Sequence, residues 1–137
     1  MQTKNTLGLE DAKRIAAAAE AEAKRNKWNV VIAVLDDGGN LVYLQRADGT
    51  QLGSIEVAIA KGRGAILFKR PTKNFEEMLA AGRLGFLSAP NVLPIEGGLP
   101  VTVGGEIVGA VGVSGVQSSQ DAQVAKAGVD AVLKEDG

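Results

Sequence analysis

Hydrophobic positions along the chain switch between a helical period and strand-like runs. From Leu9 to Lys27, apolar Leu9, Ala12, Ala16, Ala19 and Ala23 recur at three- and four-residue steps, which predicts a helix with one narrow stripe of small residues. Glu10 and Asp11 in its first turn and Lys24, Arg25 and Lys27 in its last complement the helix dipole. Trp28 to Asp36 is apolar almost without alternation, the mark of a strand covered on both faces. Leu41 to Arg46 is a second strand, reached through the turn Asp36-Asp37-Gly38-Gly39-Asn40. Ser54 is placed to cap a helix running to Phe68, with Ile55, Ala58, Ile59 and Ile66 on its buried side. Pro71-Thr72 begins a short helix through Phe75, Met78 and Leu79, and Gly82 to Asn91 is irregular. Val92 to Glu96 reads as a short strand or extended piece.

The clearest hairpin joins Leu99–Val103 to Glu106–Ser114 through Gly104-Gly105, a two-residue link suited to a primed turn. Ser118 caps a last helix, with Asp121 three residues on and Ala122, Ala125, Val129 and Val132 on its buried face. Two tight hairpins demand antiparallel neighbours, so the expected class is α+β, an antiparallel sheet flanked by helices. No repeat or linker interrupts the 137 residues, which make one domain over 1–137.

Composition narrows the chemistry by what is missing. There is no cysteine and no histidine. Disulfides, thiolate metal sites, a Ser-His-Asp triad and histidine-ligated zinc or haem are therefore outside the reach of this chain. Acid–base work would fall to Asp, Glu, Lys, Tyr, Ser or bound water. A net charge of −1 offers no long-range attraction for nucleic acid, so no nucleic-acid partner is expected. The longest apolar run, Val30 to Leu35, is too short to span a bilayer, and Met1 to Asn5 has no apolar core of a secretion signal. No membrane association and a cytoplasmic location are the expectation.

Few motifs point to a reaction. Gly112-Val113-Ser114-Gly115 half matches a nucleophile elbow, but Val116 stands where glycine belongs and no histidine exists to activate the serine. Gly62-Arg63-Gly64 lacks the third glycine of a dinucleotide loop and follows a helical stretch. Lys61, Arg63, Lys69, Arg70 and Lys73 gather five cations, most simply a solvated face. Lys61 differs, because it stands at the edge of the apolar stripe beside Ala58 and Ile59, where an ammonium needs a partner. Glu96 closes the apolar stretch Val92-Leu93-Pro94-Ile95, and reads equally as a partly buried acid or base and as an acceptor for backbone N–H groups.

With these residues in hand, the chain resembles the GlcG/HbpS-like proteins, the haem-degrading or DUF336 family, which also supplies the C-terminal domain of PduO-type cobalamin adenosyltransferases. The carriers are Ile32-Ala33-Val34-Leu35-Asp36-Asp37-Gly38-Gly39-Asn40-Leu41, Arg46-Ala47-Asp48-Gly49, Ala58-Ile59-Ala60-Lys61, Glu96-Gly97-Gly98-Leu99-Pro100 and Gly109-Ala110-Val111-Gly112-Val113-Ser114-Gly115. With the ending Gln120 to Gly128 they look most like the GlcG branch, linked to glycolate utilisation. The resemblance implies a profilin-like fold, a five-stranded antiparallel sheet with helices on both faces, and assembly as a homo-oligomer. It also implies a small-molecule ligand, haem in some members. Haem here would have no histidine and would turn to Tyr43, Met78, a lysine, a threonine or water.

Two functions follow. One is a small-ligand- or haem-binding accessory or sensor protein, with Arg46, Asp48, Gly97, Gly98 and Ser114 as ligand contacts. The alternative is an enzyme, an isomerase, lyase or hydrolase acting on a small carboxylate or aldehyde. In it Glu96 transfers the proton, Lys61 and Arg46 hold the anion, and the adjoining glycines present N–H groups to an oxyanion. Either way Glu96 and Lys61 are expected near one pocket, with Arg46 and Ser114 at its rim.

Overall fold

An unbroken run of branched apolar residues puts one strand in the middle of the sheet. In the computed structural model, which describes residues 1–136 and the side chains of residues 1–133, β1 (Val31–Asp36) is buried along its apolar length. It lies between β2 (Leu41–Arg46) and β4 (Glu106–Ser114), and β3 (Gly98–Val103) pairs with the far side of β4. The order is β2-β1-β4-β3 and every pair is antiparallel. Gly104 and Gly105 both take positive φ (57° and 80°), the primed turn that the diglycine predicts.

The sheet has four strands and not the five expected. Val92–Glu96 stays outside it. The N–H of Val92 donates to Ala89 O, that of Ile95 to Leu93 O, and that of Glu96 to the Glu76 carboxylate, so three of its N–H groups are taken by local turns and one side chain. Pro94 in its middle has no N–H to contribute to a ladder. Pro100 does lie in a strand, but in β3 at the sheet's edge, where proline is tolerated.

Strand alternation sorts the helices. Ile32, Val34, Val111 and Val113 face a core shared with Ile15 and Ala19 of α1 (Leu9–Arg25) and Val124 and Val129 of α4 (Ser118–Asp136). Val31, Ala33 and Leu35 face Ile55, Ala58 and Ile59 of α2 (Ser54–Leu67) on the opposite side. Beyond α2, the short α3 (Lys73–Ala80) sets Phe75 between Phe68 and Phe86, with ring centroids 5.6 Å away in both cases.

Element ends deviate from the periodicity for identifiable reasons. α1 stops at Arg25 because Trp28 N–H turns back to Ala23 O while Lys27 adopts a left-handed φ of 60°. Leu9 is largely exposed, so the buried stripe starts at Ala12. Ser54 is not the cap of α2 but its first residue, after Gly53. α4 is entered from Gln117, whose N–H meets Gln120 Oε1 and whose carbonyl accepts Asp121 N–H. Among the described residues, no helix is long and apolar enough to cross a membrane.

Candidate functional site

The lysine singled out by its place on the apolar stripe is one of two charged residues buried together among the described residues. α2 carries Gly62 against Gly112 of β4, and a Cβ on Gly112 would overlap the carbonyl oxygen of Ala58, so helix and sheet touch backbone to backbone. That close approach carries Lys61 under the sheet, where it is 2% exposed. Its Nζ donates to Asp121 Oδ2 and to Val113 O, each at 3.0 Å. Val113 N–H already meets Gly97 O, so the ammonium takes the neighbouring carbonyl just where β3 begins and the ladder runs out. Gly97, at φ 135°, makes the space: a Cβ there would come within 2.8 Å of both Lys61 Nζ and Val113 O. Gly98 is tied to Thr72, whose hydroxyl accepts its N–H at 2.9 Å.

Asp121 is equally buried, and its Oδ1 accepts Val116 N–H at 3.1 Å. Burial pushes its carboxyl above the ordinary value, and the attraction of Lys61 opposes that push without cancelling it. Beside this pair, Ser114 Oγ donates to Ser54 Oγ at 3.0 Å, and Gln51 Nε2 reaches the same hydroxyl. The whole cluster is internally satisfied.

A cavity lies elsewhere, between the C-terminal half of α1 and the open end of the β1–β2 hairpin, with a volume of about 540 Å³. Ala23, Trp28, Val30 and Ile32 form its apolar wall; Glu20, Lys24, Gln45, Arg46 and Asp48 supply its polar groups. Glu20 accepts from Lys24 Nζ at 2.6 Å and from Gln45 Nε2 at 2.5 Å, and these bonds, Lys24 first, hold its carboxyl below the usual range. Arg46 and Asp48 are exposed, and among the described residues neither side chain makes a hydrogen bond or ion pair with the protein.

The residues expected in one pocket thus divide between two places. Lys61, Gly97, Gly98 and Ser114 gather at the buried cluster, while Arg46 and Asp48 line the cavity. Arg46 and Ser114 share a row of the sheet, each opposite Val31, which puts them two strand spacings, about 10 Å, apart. Glu96 adjoins the cluster through its neighbour Gly97, but the carboxylate bonded to Lys61 is Asp121, and among the described residues no ion pair joins Lys61 to Glu96. Sequence reasoning did not single out Trp28, Lys24 or Gln45 for a site, nor Asp121 beyond its helix-capping position. The signal for Trp28 was present: the chain's single tryptophan sits at a helix–strand junction.

The chain is similar to known proteins along most of its length. The pattern describing haem-degrading HbpS-like proteins matches residues 7–130. Protein GlcG of Escherichia coli K12 is 47% identical over 114 residues, covering 83% of this chain and 85% of that protein. Among solved structures, the Klebsiella pneumoniae protein ORFY superposes with a TM-score of 0.90 at 31% identity, over 96% of this chain and 93% of its own. A double mutant of Streptomyces reticuli HbpS superposes with a TM-score of 0.86 at 32% identity, over 95% and 89%.

Proposed function

The chain belongs to the HbpS-like family, and from that membership we propose that it is a small-ligand- or haem-binding protein, an accessory or sensor that holds its ligand in the Trp28 cavity. The observation that carries this reading is the guanidinium of Arg46, without a partner among the described residues, on the lip of a cavity with an apolar wall. A volume of about 540 Å³ lies within the range of small-molecule sites, and a few polar groups around an aromatic wall is their usual make-up.

Haem asks for an apolar slot, cations for its carboxylates and a donor to iron. Trp28, Val30 and Ile32 supply the first, and Arg46 the second. The lining residues include no histidine, cysteine, methionine or tyrosine, and Lys24 is engaged by Glu20. Tyr43 is half-buried against the α1 side of the core and Met78 sits on α3, and neither lines the cavity. The residues fit the ring and its carboxylates but not the iron.

The enzymatic alternative through Glu96 gains less support, since the ammonium it would work with is held by Asp121 and Val113 O. Self-association and a cytoplasmic accessory role in small-carboxylate metabolism belong to the same reading as the ligand. Native mass spectrometry of the protein as purified, followed by haemin titration, tests it. We expect a retained or added ligand at one per chain in an assembly larger than a monomer. A bare monomer that stays ligand-free with haemin at about 0.1 mM, far above the Kd of a working site, would overturn it.

A further inference from the structure

The poor match to iron, set beside the good match to a ring and an acid, carries one step more. We propose that the Trp28 cavity recognises a flat, apolar carboxylic acid by contact with the indole and by charge pairing with Arg46, with no bond from the protein to a metal. This rests on the ligand-binding reading above and specifies the ligand's chemistry.

The charges around the cavity decide it. Glu20 and Lys24 offset each other's charge across 2.6 Å, and Gln45 takes the second carboxylate oxygen, so this wall presents little net charge to a ligand. Arg46 and Asp48 remain, and among the described residues neither side chain has a hydrogen-bond or ion-pair partner. A guanidinium presents a planar fork matched to a carboxylate and pairs with it through two parallel bonds. Asp48 opposes an acid, and its effect has the opposite sign to that of Arg46, which makes the two residues a matched pair of probes. Both are exposed, so neither substitution puts the fold at risk. Behind them Val30 and Ile32, 2% and 1% exposed, close the floor, and the half-exposed Trp28 is the apolar surface left for a ligand to cover, which favours an apolar body over a sugar or a nucleotide. A neutral aromatic molecule would use the indole and the floor but leave the guanidinium idle. A haem held through its iron would need a histidine, cysteine, methionine or tyrosine, none of which lines the cavity.

Two sources share this chemistry, a small aromatic acid and a tetrapyrrole, and separate arms of the test tell them apart. The intact protein is titrated with 3-phenylpropionate, followed by the fluorescence of its single tryptophan, and with metal-free protoporphyrin IX, protoporphyrin dimethyl ester and haemin, followed by their own absorbance. Protoporphyrin and haemin should bind within about threefold of each other, and capping the carboxylates as esters should weaken binding about tenfold. Arg46→Gln should weaken every acid about tenfold and leave the ester unchanged, while Asp48→Asn should strengthen the acids about threefold. Binding of 3-phenylpropionate with this dependence identifies a small acid; binding of porphyrins alone identifies a tetrapyrrole. Haemin binding more than about tenfold tighter than protoporphyrin, or acid affinities indifferent to both substitutions, overturns the inference and leaves the ligand-binding reading standing. If no probe binds at all, both fall.

Discussion

Replacing Lys61 by methionine keeps most of the side chain's volume and removes its charge, which isolates what the ammonium does. Nζ and Oδ2 of Asp121 are 3.0 Å apart and both residues are 2% exposed. At an effective dielectric of ~20, two such charges attract by about 5–6 kcal/mol, and much of this is offset by the cost of drying both. Removing one partner leaves the other buried and uncompensated, which costs about 3–5 kcal/mol. At pH 7, Lys61→Met should therefore lose that much in urea unfolding, a drop of roughly 10–20 °C in Tm for a domain of this size. The loss should depend on pH with a definite sign. Asp121 is already raised by burial with the ammonium beside it, and without the ammonium it rises further. A carboxyl whose folded-state pKa is raised binds its proton more tightly in the folded chain. Its contribution is most favourable below the unfolded value near ~4 and is lost as pH climbs through the folded value. The gap between wild type and Lys61→Met should thus be narrow at pH 4 and widest at pH 7. Adding Asp121→Asn, which keeps an acceptor for Val116 N–H, should remove most of that slope. A gap below about 1 kcal/mol at pH 7, or one that does not change with pH, would refute the reasoning.

Gly112→Ala should be the most damaging single methyl in the chain, because its Cβ would occupy the space of Ala58 O and lie 2.6 Å from Gly62 N; a loss above about 4 kcal/mol, or no folded protein, is expected from urea titration or soluble yield. Lys27 and Lys69 close α1 and α2 in left-handed conformations (φ 60° and 55°), so Lys27→Gly and Lys69→Gly should each raise stability by about 0.5–1 kcal/mol, read as a shift of the urea midpoint at constant m. Ser114→Ala breaks the buried bond to Ser54 and should cost about 1–2 kcal/mol, while a cycle with Ser54→Ala should return about 1 kcal/mol of coupling.

What could be read from the sequence follows from how local each signal is. The β3–β4 hairpin was legible because Gly104-Gly105 dictates a turn within two residues, and β1 because a run covered on both faces has to be central. Lys61 was legible as a buried cation in need of a partner, but the partner, Asp121, lies 60 positions further on and meets it only where α4 begins after β4. Glu96 looked equivalent from composition alone; nothing local distinguishes an acid beside the lysine's glycine turn from the one bonded to the lysine. Val92–Glu96 has strand-like hydrophobicity, yet its N–H groups are claimed by turns and by Glu76, a competition that no periodicity records. Arg46 and Asp48 could be named from the sequence as candidate ligand contacts, whereas the wall they stand on required the packing of α1 against the hairpin.

The chain's single tryptophan makes the ligand site open to one direct observation. In a ¹⁵N-labelled sample the Trp28 indole N–H is a lone, identifiable resonance, and it can be followed while an acid such as 3-phenylpropionate or protoporphyrin IX is added. A ligand in the cavity should move that resonance together with the amides of Val30, Gln45, Arg46 and Asp48, while those of Lys61, Gly97 and Gly98 stay in place. Shifts that gather at Lys61, Gly97 and Gly98 with the indole unmoved would contradict the assignment and put the ligand at the buried lysine instead.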